Sequence, residues 1–200
     1  MVLTTIRDII VTLLALSGWG KVLIDWISGR PKIRGLIMGV IKSTGPTPGL
    51  IPGLPSDKAW FMVYAYLVNQ RKNAIHILDY HLDIKTGRKW HAGARLYALH
   101  TLLNFGFLDV AGKEVPVDQF QDNLIYRKNA PVEFGRPLHG WIPFLADRDL
   151  YQAKDVTYRL TCIDAFQRKH RFKTHQRDLP NMGLWAEMAG IRLPKPPEPR

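Results

Sequence analysis

Asp79, His81 and Asp83 alternate within one short stretch, Ile75 to Ile84. In an extended chain alternate side chains point the same way, so two carboxylates and an imidazole share a face. Such a set could hold a divalent ion, or act as acid and base, given further ligands from a neighbouring strand. The polar outside of a half-buried strand has the same pattern. His76, in register with Leu78, reads as a core or rim histidine. His139, beside Gly140 and Trp141, is the other imidazole of interest, because histidine titrates near neutrality and needs only a partner within hydrogen-bond reach to do proton chemistry.

Nucleophiles are scarce. The serines are Ser17, Ser28, Ser43 and Ser56, none in the strand-turn-helix setting of a nucleophile elbow. Cys162 is the only cysteine, and it shares a strand face with Val156, Tyr158 and Leu160, as a core thiol would. A single thiol excludes an intramolecular disulfide and any four-cysteine or Cys2His2 zinc site. Phosphate-binding glycine loops and HExxH zinc motifs are absent. The residues therefore point away from an enzyme: no catalytic residues, no metal site and no cofactor are expected, and a metal-dependent hydrolase built on Asp79, His81 and Asp83 is the least favoured reading.

Charge is the stronger signal. Lys and Arg number 28 against 17 Asp and Glu, a formal net charge of +11. A balance this basic argues for an anionic partner. The excess concentrates in RKHRFKTHQR, Arg168 to Arg177, where alternation places Arg171, Lys173, His175 and Arg177 on one face and turns Phe172 inward. Arg168, Lys169, Arg171, Lys173 and Arg177 are the candidate anion- or lipid-binding residues, each cation contributing about 1 kcal/mol near an anionic membrane. A protein partner would use the same strip. Nucleic acid is a weaker candidate, since the aromatic residues concentrate in apparent core strands instead of alternating with exposed cations.

These residues need a scaffold, and the chain divides into three parts. Residues 1–30 contain Ile9 to Ile27, a run of 19 residues of which 13 are apolar. At 1.5 Å per residue it is long enough to cross most of a bilayer, though Lys21 and Asp25 make its second half amphipathic. It reads as a membrane anchor, an interfacial helix or a buried helix. If it spans, Arg30, Lys32 and Arg34 behind it place the following domain in the cytoplasm by the positive-inside rule.

Residues 31–178 read as a β-sandwich domain. Lys32 to Ser43 is a strand with Ile33, Ile37 and Ile41 on one face and Leu36, Met38 and Val40 on the other. Thr44 to Pro55 is a Pro- and Gly-rich loop. Trp60 to Val68 is apolar on both faces and forms a central strand, expected to pair antiparallel with Ile75 to Ile84. Ala92 to Phe105 has Leu96, Leu99 and Leu103 at helical spacing, which predicts a short helix. A small hairpin follows over Phe107 to Val117. VEFGRPLHGWIPF, Val132 to Phe144, is a turn entering a strand, and Val156 to Ile163 pairs with His170 to Thr174 across Asp164 to Lys169. Residues 179–200 form a proline-rich tail.

About seven strands joined by turn signals predict a mainly β fold, an immunoglobulin-like antiparallel sandwich. The hydrophobic N-terminal segment, the strand ending Val68-Asn69, the Gly-Arg-Pro turn before Gly140-Trp141 and Phe144, and the strand ending Asp164-Ala165-Phe166 resemble uncharacterised bacterial membrane-anchored proteins with an immunoglobulin-like, telokin-like sandwich. The resemblance covers roughly Lys32 to His175. It implies a fold and a membrane-associated interaction module, and it brings no catalytic residues.

Overall fold

A strand that is apolar at nearly every position needs cover on both faces. Trp60 to Leu67 is such a run, and in the computed structural model its residues are buried almost without exception. The structure describes residue 22 and residues 32–43, 57–96, 105–108, 114–128, 130–180 and 186–192. Their elements are β1 (Ile33–Ser43), β2 (Lys58–Asn69), β3 (Ile77–Thr86), β4 (Lys89–Arg95), β5 (Phe105–Leu108), β6 (Glu114–Val117), β7 (Leu138–Asp147), the one-turn helix α1 (Asp149–Gln152), β8 (Val156–Asp164) and β9 (Lys169–His175). A 3-10 turn, Gln176–Asp178, follows.

Seven strands form one antiparallel sheet in the order β1-β2-β7-β4-β3-β8-β9, and β5 and β6 make a separate hairpin. The sheet curls because β4 changes partner along its length. Lys89 to Gly93 pair with β3, whereas Ala94 and Arg95 pair with β7. The end strands β1 and β9 thereby come face to face, and the sheet is nearly a closed barrel. At the seam the Phe172 ring lies on Gly35, where an added Cβ would be 2.6 Å from the ring. The residue is glycine because the ring occupies its side-chain space.

Inside the curl, Phe61, Val63, Ala65 and Leu67 of β2 pack with Ile142 and Phe144 of β7, Leu82 and Ile84 of β3, and Tyr158, Leu160 and Cys162 of β8. A second core covers the outside of β2 and β7. There Trp60, Met62, Tyr64 and Trp141 pack under Val115, Val117, Phe120, Leu124, Ala189 and Ile191. Side-chain hydrogen bonds pin the 188–189 part of this cover: Trp141 Nε1 donates to Ala189 O at 2.9 Å, and Tyr64 Oη donates to Met188 O at 2.7 Å. Gly140 allows the close approach of the 123–125 backbone, since a Cβ there would collide with the Asn123 carbonyl oxygen.

Several expectations from the sequence change. The ladders join into one curled sheet instead of the two separate sheets of an immunoglobulin-like sandwich, because β4 belongs to both halves. The helix over Ala92 to Phe105 is not formed as expected: Ala92 to Arg95 end β4, Phe105 begins β5, and residues 97–104 lie outside the described residues. β2 and β3 are not neighbours. Asn69 leads the chain across the end of the barrel, its Nδ2 donating to Asn73 O at 2.7 Å and Val132 O at 2.9 Å. The bridge between Ile75 and Val132 continues that crossing.

Register irregularities explain two further differences. A bulge between Ile37 and Gly39 exchanges the faces of β1, so Ile33 and Ile37 join the inner core while Ile41 joins the outer one. Another between Ile77 and Asp79 leaves Leu78 55% exposed, although Tyr80, Leu82 and Ile84 face inward as the alternation requires. The segment Ile9 to Ile27, apart from Val22, and the Thr44 to Pro55 loop lie outside the described residues. Among the described residues no helix is long and apolar enough to cross a membrane.

The β8–β9 hairpin turns on one carboxylate. Asp164 is fully buried, and its Oδ1 accepts from the amides of Phe166 and Arg168, each at 2.9 Å. Its Oδ2 lies 3.0 Å from His170 Nε2. Burial alone would raise the Asp164 carboxyl, but His170 and the two amides outweigh it and hold it below the ordinary value. A depressed folded-state value adds stability that is present above the unfolded carboxyl's value, about 3.9, and is lost as pH falls through the folded one. Asp164→Ala should therefore cost about 3 kcal/mol at neutral pH. Asp164→Asn should flatten the acid side of the stability profile. Urea unfolding across pH checks both, and an unchanged acid limb in the asparagine variant would refute the assignment.

Candidate functional site

The outer face of β3, β8 and β9 is built row by row from the ladder. Asp83 lies opposite Arg159 and Arg159 opposite Lys173; His81 lies opposite Thr161 and Thr161 opposite Arg171; Ile163 lies opposite Lys169. Lys85 faces Trp90 of β4 at the next row. An open cavity of about 200 Å³ sits among His81, Arg159, Thr161, Lys169 and Arg171.

The carboxylates of this face are already engaged. Asp83 Oδ2 accepts from Arg159 Nε at 2.9 Å. Asp79 Oδ1 accepts from Arg95 Nη1 at 2.6 Å and from the Tyr80 amide at 2.8 Å, while Oδ2 lies 3.2 Å from His81 Nε2. Asp79 and Asp83 thus answer two different arginines and do not converge with His81 on one point. Among the described residues no group of three or more His, Cys, Asp or Glu side chains is placed to hold a metal ion.

Of the sequence-predicted cations, Lys169, Arg171 and Lys173 are exposed together on β9. Arg168 lies in the hairpin turn with its guanidinium 5.5 Å from the Phe166 ring centre. Arg177 leaves the strip, because β9 ends at His175 and the chain enters the 3-10 turn, where Arg177 lies 3.8 Å from Asp178. His175 stays on the face and meets Asp155 at 3.2 Å. Sequence reasoning missed Lys85, Trp90 and Arg159. Arg159 stacks on Trp90 at 4.1 Å, and Lys85 and Lys173 each approach the same ring to 5.9 Å. Arg159 was legible as an outward residue from the Val156 to Ile163 alternation. Its meeting with Trp90 was not, since that depends on β3 lying between β4 and β8.

Arg95 is a further missed residue. It points inward from β4, with its side chain only 8% exposed, and it sits 5.3 Å from the Tyr80 ring centre and 5.0 Å from that of Tyr126. The Asp79 carboxylate and the two ring faces make a buried guanidinium tolerable at this end of the barrel.

His139 has the partner that its position left unnamed. Its Nδ1 lies 2.7 Å from Tyr64 Oη. The Tyr64 hydroxyl has one proton and gives it to Met188 O, which can only accept. The shared hydrogen is therefore on His139 Nδ1, and in the neutral ring Nε2 keeps the lone pair. Burial, then the charge of Lys128, lowers the His139 pKa. Lys128 Nζ donates to His139 O at 2.8 Å. The imidazole stacks on Tyr66, with centroids 6.2 Å apart and planes at 14°. Cys162 is fully buried, and burial pushes its thiol far up, out of nucleophilic range.

No protein-family model matches the chain. No curated protein matches it either. Among solved structures it is similar to a Bacillus subtilis protein described as a "putative lipoprotein (ycdA)", with 12% identity and a TM-score of 0.41, over 73% of this chain and 37% of that one. The chain thus spans 37% of the length of that structure.

The Tyr64–His139 geometry fixes an observable. At neutral pH the His139 ring nitrogens should show the Nδ1-protonated tautomer in ¹⁵N NMR, and Tyr64→Phe should abolish that preference and cost about 1–2 kcal/mol. Because the folded ring binds its proton less tightly than the unfolded one, acidification below about pH 6.5 should destabilise the chain through this group. An Nε2-protonated ring in the parent protein would overturn the assignment.

Proposed function

We propose that the chain is a membrane-associated, non-catalytic interaction module that lays the outer face of β3, β8 and β9 against an anionic membrane surface. One observation carries this reading. Lys85, Arg159, Lys169, Arg171 and Lys173 gather on one sheet face, while Asp79 and Asp83 there are bound to Arg95 and Arg159. The face is left with a surplus of cations and no spare carboxylate at its centre. The net charge of +11 acts in the same direction at longer range. The apolar run Ile9 to Ile27 supports the same partner, as a second attachment in sequence.

A phosphate-rich surface suits such a face better than a nucleic acid does. Trp90, the aromatic ring on this face, has Arg159 over it at 4.1 Å, so that side of the ring is not offered to a base. Without stacking, affinity rests on charge alone.

The test is co-sedimentation of the full chain with phosphatidylcholine vesicles, with and without phosphatidylglycerol. Binding should require the anionic lipid and weaken with salt. Replacing Lys85, Lys169 and Lys173 together by Gln should lower the vesicle partition about 100-fold, at roughly 1 kcal/mol per cation. Equal binding by the triple variant would defeat the proposal, as would tighter binding to duplex or single-stranded nucleic acid than to the vesicles.

A further inference from the structure

The outer core that covers β2 stops short. It reaches Trp60, Met62 and Tyr64, but the next outward residues, Tyr66 and Val68, are only half-buried. Across the ladder Tyr66 faces Leu36 of β1 and Val68 faces Arg34. Leu36 is 60% exposed among the described residues. These side chains continue over the seam to Phe172 and Arg171 of β9, and together they line a groove of about 480 Å³. That volume lies within the range of small-ligand sites, about 300–1,000 Å³.

The chemistry of the groove is divided. Its floor is apolar, made by Leu36, Tyr66, Val68 and Phe172. Its rim holds two guanidiniums, Arg34 and Arg171, both exposed, and among the described residues neither has a carboxylate partner. This differs from the other arginines of the barrel wall: Arg95 and Arg159 are each neutralised by an aspartate. Besides the arginines, the nearby titratable groups are Tyr66 and, stacked on it, His139; no carboxylate lines the groove.

We infer that this groove binds a monomeric, single-chain anionic amphiphile, the alkyl chain lying along Leu36, Tyr66, Val68 and Phe172 and the head group held between Arg34 and Arg171. Alkyl burial supplies affinity, and paired charge-assisted hydrogen bonds select a carboxylate or phosphate head over a neutral one. The site shares Arg171 with the basic face and is otherwise separate from it. Arg34 and Leu36 lie on β1, on the far side of the seam from β8 and β3.

Isothermal titration of the full chain with laurate, below its micelle concentration, tests the inference against dodecanol and dodecyltrimethylammonium. Laurate should bind one per chain and at least about tenfold more tightly than dodecanol, with the cationic amphiphile weakest. Arg34→Gln with Arg171→Gln should bring laurate down to the level of dodecanol. Leu36→Glu, at an exposed position that the fold tolerates, should abolish laurate binding while the thermal unfolding midpoint is kept. Equal affinity for laurate and dodecanol, no binding at all, or binding indifferent to these substitutions would each overturn it. Arg34→Gln alone should weaken laurate without changing vesicle partition, and the Lys85, Lys169 and Lys173 triple variant should do the reverse, so the two readings fail separately.

Discussion

The structure follows from one strand that is apolar on both faces. β2 cannot sit at the surface of a single sheet without exposing either Phe61, Val63, Ala65 and Leu67 or Trp60, Met62 and Tyr64. The fold meets that constraint twice. Curling of the sheet brings β3 and β8 over the inner row, and the 115–125 and 186–191 segments cover the outer one. Burying rings and branched chains on both sides contributes about 1.5–3 kcal/mol per large side chain, so β2 and its neighbour β7 resist local opening. The remaining strands are arranged around that pair, and the groove exists where the outer cover ends.

Electrostatics divides the surface along similar lines. Alternation gives β3 two outward aspartates and gives β8 and β9 outward cations, and adjacency pairs Asp83 with Arg159 directly. Asp79 is drawn instead to Arg95, which enters from the inside of β4. Once both aspartates are satisfied, each further cation on β9 is unopposed by a carboxylate of β3. The local positive field therefore follows from strand order: had β4 lain beside β9, Arg95 would have been remote from Asp79.

How far this could be read from the chain depends on the range of the interaction. The mainly β character, β2 as a central strand, the β8–β9 hairpin, the inward Phe172 and the core thiol Cys162 were legible, because two-residue alternation and turn chemistry act locally. Leu96, Leu99 and Leu103 carry helical spacing, yet Ala92 to Arg95 end a strand, since pairing to β3 and β7 on either side outweighs local preference. The bulges at Met38 and Leu78 were invisible for the same reason: each is imposed by a partner strand. Among candidate site residues, Lys169, Arg171 and Lys173 needed only alternation. Arg177 needed the end of β9, while Arg159 on Trp90, Arg95 on Asp79 and Tyr64 on His139 needed the strand order, which no local pattern contains.

The seam between β1 and β9 is where these two themes meet. No ladder joins the strands, so their separation is not set by backbone hydrogen bonds, as it is for every other neighbouring pair in the sheet. Side chains bridge them instead: the Phe172 ring lies on Gly35, and Lys42 Nζ of β1 donates to Gln176 Oε1, just past the end of β9, at 3.0 Å. A contact of that kind fixes distance without consuming the outward side chains of either strand, so Arg34 and Arg171 stand on opposite lips of an apolar floor. The same phenylalanine that belongs to the inner core also lines the outer groove, so a change in its size should alter core packing and groove shape together.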